Sequence, residues 1–228
     1  MPGVLALTGG AEWTAGSEAV DRAILAACAR PEVLVLTTAA AYSRPEQALA
    51  NATAWFASLG AQVTTTALLQ RGDATNASVV ERLRDAACIY FSGGSLHHLK
   101  SVLQATPAWA AIVEAWRGGA VLAGASAGAM VLGDPMVDPR GGAFTIGLGL
   151  IPGLAVLPHA DTWSPTKVHR TLKMASASVT VVSIPERSAI LWSSEGGWTA
   201  LGPHPVEVHV GAKRAGLGDI PNPAIESS

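Results

Sequence analysis

The chain has 228 residues, 49% hydrophobic and 14% charged, with a formal net charge of −2 and a pI near 6.3. That balance is globular, suffices for one sizeable core and offers no basic field for nucleic acid, so a small or peptide ligand fits better. No run of 18 or more apolar residues escapes interruption by Gly, Pro or charge, which argues against a membrane partner.

Residues 1–10 lack the basic region and long apolar stretch of a secretory signal, and Cys28 and Cys88 read as core thiols rather than a bridge, so the cytoplasm is the expected compartment. Residues 4–8 form a short apolar run ending in Gly9-Gly10, and 18–29 follow with Val20, Ile24, Leu25 and Cys28 at helical spacing. Residues 33–37 repeat the strand signal. Pro45 suits the first turn of a helix that continues through Ala48, Leu49, Ala52, Trp55, Phe56 and Leu59 and stops at Gly60. Residues 62–69 read as a third strand, Asn76 as the cap of a helix with Val79, Val80, Leu83 and Ala87 inward, and 88–91 as a fourth strand ending in Ser92-Gly93-Gly94. Helices over 96–105 and 108–117 follow, the second entered through Pro107 and closed by Gly118-Gly119. Four strand-helix units predict an α/β fold of three layers, a parallel sheet with helices on both faces and ligands beyond the carboxyl ends of its strands.

Residues 120–132 read strand, abrupt turn, helix around Gly124-Ala125-Ser126-Ala127-Gly128, the context of a nucleophile elbow. A serine in such a turn tolerates only Gly or Ala closely packed around it. Ser126 is the candidate nucleophile and the Ala127 amide a candidate oxyanion donor. Asp134-Pro135 ends the elbow helix, and 141–153 reads as Gly-rich loop with short strand. Residues 165–177 fit a helix with Val168, Leu172 and Met174 inward, and 179–184 a buried strand. Residues 190–192, 198–201 and 206–210 look like short antiparallel strands at an edge. One domain over 1–216 and a loose tail over 217–228 complete the expected organisation.

A serine nucleophile requires a base, usually histidine, and a group that orients it. Among His97, His98, His159, His169, His204 and His209, His159 is favoured because it follows the apolar 154–157 segment and Pro158, in a loop just past a strand. Glu186, after the 179–184 strand and Pro185, is the first candidate for the orienting acid; Asp161, two residues from His159, is its rival. No histidine has ligand-like spacing with Cys or acids, so neither a metal nor a cofactor is expected.

The order Ser, His, Glu differs from that of α/β-hydrolases, whose acid precedes the histidine. Phe91-Ser92-Gly93-Gly94, Gly124-Ala125-Ser126-Ala127-Gly128-Ala129, Gly147-Leu148-Gly149-Leu150-Ile151-Pro152-Gly153 with His159 shortly after, and Ile184-Pro185-Glu186 together resemble the peptidase E and cyanophycinase family of serine peptidases. The resemblance implies a class I glutamine amidotransferase-like fold, with Ser126 as nucleophile, His159 as base, Glu186 as its orienting acid, and an oxyanion hole from Gly93, Gly94 and Ala127. It also implies substrate contacts at Glu12, Lys167 and Arg170, and puts Ser95 where relatives usually carry an amide or acid. The expected activity is hydrolysis of small peptides at aspartyl residues, dipeptidase E-like or cyanophycinase-like, and a homodimer is compatible with it. The alternatives are an amidotransferase-like ligand- or partner-binding protein without peptidase activity and an esterase, which the residue order disfavours.

Overall fold

A computed structural model describes residues 1–225. Five strands run parallel: β1 (Leu5–Thr8), β2 (Glu32–Leu36), β3 (Gln62–Thr64), β4 (Cys88–Phe91) and β5 (Val121–Ala125). Between them lie α1 (Glu18–Ala26), α2 (Pro45–Ser58), α3 (Ala77–Arg84), α4 (Leu96–Leu103) and α5 (Pro107–Arg117). The helices start where the sequence signals them, with the Asn76 side chain accepting from Ser78 N and Thr106 from Trp109 N. All of β1, β4 and β5 is buried, and alternate residues serve opposite cores. Leu5, Leu7, Ile89, Phe91 and Leu122 share one core with α3 to α5, while Ala6, Cys88, Tyr90, Val121 and Ala123 share the other with α1 and α2. That double burial explains why these strands read as continuous apolar runs.

β3 ends at Thr64, well short of the expected 62–69. Thr65 Oγ1 donates to Val35 O (3.0 Å), Thr38 Oγ1 donates to Leu68 O (2.6 Å), and Leu68 drops into the core, so hydroxyl bonds to the backbone replace the ladder.

Past β5 come the four-residue helix α6 (Ala127–Met130), shorter than the elbow helix expected, and the two-residue strands β6 (Gly133–Asp134), β7 (Met136–Val137), β8 (Phe144–Thr145) and β9 (Ile151–Pro152). β10 (Leu154–Pro158), α7 (Pro165–Met174), β11 (Thr180–Ile184), β12 (Ala189–Ser193), β13 (Gly197–Leu201), β14 (Glu207–Val210) and β15 (Lys213–Ala215) follow. The central sheet has the order β13-β12-β1-β5-β4-β2-β3, with β12 and β13 antiparallel beside β1. A second sheet, β10-β11-β14-β15, starts from the parallel pair β10 and β11. The antiparallel strands expected together at one edge are therefore divided between two sheets, since strand patterning marks a strand and not its partner.

α7 is less covered than expected. Thr171 is its buried residue, Val168 and Leu172 are half-buried, and Met174, expected inward, is 60% exposed. The C-terminal stretch differs in the opposite sense. Ile220 is buried, Trp198 Nε1 donates to Pro221 O (3.1 Å), Trp192 Nε1 to Asn222 Oδ1 (3.0 Å) and Ala224 N to Leu150 O (2.8 Å). Two indole N–H groups on β12 and β13 thus find their acceptors in the stretch expected to be loose; residues 226–228 lie outside the described residues.

Asp21 sits in the core. Asp21 of α1 is 1% exposed, and its Oδ2 accepts from Trp55 Nε1 (2.8 Å) and Ser17 Oγ (3.3 Å). Burial pushes its pKa up to about 7, against those two bonds and with the help of the Glu12 and Glu18 charges. An acid whose folded-state pKa is raised opposes folding once ionised, so stability is greatest below the ordinary carboxylate pKa and falls as pH rises toward about 7. Between pH 5 and pH 8 the chain is expected to lose about 2–3 kcal/mol of stability that Asp21→Asn does not, two pH units at ~1.4 kcal/mol each. Urea denaturation at both pH values measures this, and equal pH dependence of the two chains would contradict it.

Candidate active site

Ser126 stands between β5 and α6 at φ 51° and ψ −110°, a backbone conformation that is costly for an L-residue. Its neighbours allow the turn. A Cβ on Gly124 would lie 2.4 Å from Gly128 O, and one on Gly128 would lie 2.6 Å from Phe91 Cβ. The two glycines flanking the serine are thus a packing requirement of strand on helix. Ser126 N donates to Thr8 O (3.1 Å), tying the elbow to the end of β1.

The other two elements of the site close on the Gly9-Gly10 turn. His159, just past β10, donates its N–H to Gly9 O (2.8 Å), Arg187 N donates to Gly10 O (3.0 Å), and Gly9 N donates to Ser188 O (2.9 Å). A Cβ on Gly10 would lie 2.2 Å from His159 Cε1 and one on Gly9 2.0 Å from Pro185 O, so both loops rest on bare backbone.

This seating aligns three side chains. His159 Nε2 is 2.8 Å from Ser126 Oγ and Nδ1 is 2.9 Å from Glu186 Oε1. The imidazole and carboxylate side chains are 31% and 24% exposed, which leaves them open to a substrate yet partly shielded from water. Asp161 does not face the ring; its Oδ1 accepts from Glu186 N (2.9 Å) and holds the backbone of the residue that does. A hydroxyl bonded to an imidazole that is bonded to a carboxylate can release the hydroxyl proton to the ring as a nucleophile forms.

The Gly93-Gly94 turn lies against the elbow, where a Cβ on Gly93 would be 3.4 Å from Ser126 Cβ. The Gly93 amide, expected at the oxyanion hole, instead donates to Glu12 Oε1 (2.8 Å). Among the described residues the amides of Gly94 and Ala127 meet no acceptor. Ser95 is an N-cap: its Oγ accepts from His98 N (3.4 Å) and its own N–H donates to Ala39 O (2.7 Å).

Lys167 and Arg170 lie on α7, which follows the His159 loop. Lys167 Nζ is 3.4 Å from the Trp163 ring centroid, and Trp163 N donates to His159 O (3.1 Å). Burial lowers the Lys167 pKa, the Arg170 charge lowers it further, and Asp138 opposes both. Arg170 Nη2 donates to Arg140 O (3.1 Å), and the Arg140–Asp138 pair (2.8 Å) holds the Asp138 carboxyl down to about 2. These cations make a patch beside the histidine loop but touch none of Ser126, His159 and Glu186 among the described residues. Elsewhere, His98 Nε2 bonds Leu69 O (2.7 Å) with Tyr42 against its ring. Three features escaped the sequence reading: Glu12 on the Gly93 amide, Trp163 under Lys167, and Gly10 behind the histidine. The last had a signal, a glycine pair at the carboxyl end of a strand. Among the described residues no group of three or more His, Cys, Asp or Glu side chains could hold a metal ion, and no helix is long and apolar enough to cross a membrane.

A serine at a strand-to-helix elbow, bonded to a histidine that is bonded to an acid, is the arrangement of serine hydrolases. The family model for peptidase family S51 matches residues 5–198, and the chain belongs to that family. A crystal structure of a peptidase from an acI-B1 Actinobacterium has a TM-score of 0.80 at 31% identity, covering 92% of this chain and 91% of that one. A cyanophycinase from Synechococcus elongatus is 28% identical over 144 residues, covering 58% of this chain and 44% of that protein, so the match spans less than half of the relative. A crystal structure from Listeria monocytogenes EGD-e, at 17% identity and a TM-score of 0.67 over 90% of this chain and 100% of its own, bears on the fold alone.

Gly10→Ala is expected to push the His159 ring off the line between Ser126 and Glu186. A misplacement of about 1 Å costs on the order of 10²-fold in reactivity, so reaction with a fluorophosphonate probe should slow by about that factor while the circular dichroism spectrum is kept. Unchanged labelling would show that Gly10 does not set the ring position.

Proposed function

We propose that this chain is a serine peptidase that hydrolyses small aspartyl peptides through an acyl-enzyme on Ser126. The observation that carries the reading is the hydrogen-bonded line from Ser126 Oγ through His159 to Glu186. In this mechanism His159 Nε2 takes the Ser126 proton as Oγ attacks the scissile carbonyl carbon, and Glu186 stabilises the imidazolium at Nδ1. The imidazolium then protonates the departing amine, and His159 activates the water that hydrolyses the ester. The amides of Gly94 and Ala127 receive the oxyanion, and Glu12 fixes the turn that aims the first of them by holding the Gly93 amide. Lys167 and Arg170 form the cationic wall for the aspartyl carboxylate, to which Ser95 adds no charge. The chain works as one domain, and its free thiols Cys28 and Cys88 suit the reducing cytoplasm.

The test compares kcat/KM on Asp-Leu, Ala-Leu and β-Asp-Arg. Cleavage of Asp-Leu should exceed that of Ala-Leu by at least about tenfold, the size of one charge-assisted hydrogen bond. Equal rates on the two would sink the acidic-substrate reading, and no cleavage of any of the three would favour a ligand-binding protein of the same fold. Glu186→Gln should lower turnover by orders of magnitude, because an amide cannot stabilise the imidazolium. Asp161→Asn, which keeps an acceptor for the Glu186 N–H, should lower it far less; the reverse ranking in equally stable variants would give the orienting role to Asp161.

A further inference from the structure

The partial burial of α7 leaves a groove between that helix and the second sheet, with Asp161 among its lining residues. We propose that this groove is an accessory site for a free dipeptide, held by its ammonium at one end and its carboxylate at the other. Two cavities lie along it. One, about 330 Å³, is lined among others by Asp161, Val168, Ser183 and Glu207, and the other, about 370 Å³, by His169, Leu172, Lys173 and His209. Val168 and Leu172 are one turn apart on α7, and Glu207 and His209 are alternate residues of β14, so the chambers are neighbours on one helix face and one sheet face.

Their chemistry differs in sign. The first chamber presents the carboxylates of Asp161 and Glu207 with one histidine, His204, whereas the second presents the Lys173 ammonium with two histidines and no carboxylate. Each also holds a buried polar atom without a partner: Ser183 Oγ, on a residue 4% exposed, and His209 Nδ1. Native interiors rarely leave such atoms unpaired, and a polar ligand in the groove would supply the missing bonds. Ser183 is the register partner of Glu207 across β11 and β14, and Val181 that of His209, so both orphan atoms sit on the same sheet face as the charges.

Length narrows the occupant. Alternate residues of a strand are about 6.8 Å apart, the span of two extended residues at about 3.4 Å each. A single amino acid spans about half of that distance, and a longer peptide would carry its carboxylate beyond the chamber that His209 lines. Arg214 Nη2 lies 3.7 Å from Glu207 Oε1, but both side chains are largely exposed, at 76% and 48%, so the pair is a weak competitor for an ammonium. The site also has a route to the triad: Asp161, in the acidic chamber, holds the N–H of Glu186. Only that influence on turnover rests on the function proposed above; binding does not.

The test therefore reads binding alone, in the Ser126→Ala chain, by calorimetric titration with Gly-Gly, N-acetyl-Gly-Gly and Gly-Gly amide. Gly-Gly should bind with one-to-one stoichiometry, and blocking either terminus should weaken it at least about tenfold. In Glu207→Gln the penalty for acetylation should shrink, and in Lys173→Met the penalty for amidation should shrink, each without changing the other. No binding of Gly-Gly at millimolar concentration would overturn the proposal. Binding untouched by both substitutions would also overturn it, by placing the dipeptide elsewhere.

Discussion

The close packing of three loops on the end of β1 and the bare Gly9-Gly10 turn that follows it is the constraint on which the site depends. β1 lies between β5 and β12 in the central sheet, so its end is reached from both sides. The elbow anchors to Thr8, the histidine loop to Gly9, and the chain after Glu186 to Gly10. Each anchor is a backbone bond, so the three side chains meet because their backbones are fixed first. The histidine and the acid arrive together for a related reason: β10 and β11 are parallel, and Pro158 is the register partner of Ile184, so both leave the second sheet at the same end. The site is a seam, with Ser126 from one sheet and His159 and Glu186 from the other.

The seam stores strain. Ser126, His159 and Arg187 all adopt positive φ, at 51°, 52° and 60°, and such residues cost ~1–3 kcal/mol each when side chains are attached. The surrounding hydrogen bonds offset that cost and leave the imidazole bonded on both sides before any ligand arrives. Burial of Asp21, with the Glu12 charge acting in the same sense, adds a second local penalty.

Much of this was legible in the residues. The parallel strands could be read because burial on both faces makes them apolar without alternation, and the elbow because steric crowding admits only small residues around Ser126. The pairing of β12 with β1 and of β14 with β11 was not legible, since edge and interior strands share the same local pattern. Residues 217–228 read as loose because of their Pro and Ser content; the acceptors that Pro221 and Asn222 offer to Trp198 and Trp192 appear only in three dimensions. At the site, Glu186 and Asp161 remained rivals because both lie in loops beside His159, and only geometry separates the acid that meets Nδ1 from the one that holds a backbone amide. Glu12 on the Gly93 amide joins residues 81 positions apart and had no local signature.

The central claim is that Ser126 is an activated nucleophile rather than a serine in a tight turn. Intact-mass and peptide mapping after treatment with diisopropyl fluorophosphate tests it most directly. The account predicts one adduct per chain, located on Ser126 and lost when His159 is replaced by Ala. An unmodified chain, or an adduct on another residue that persists in Ser126→Ala, would contradict it.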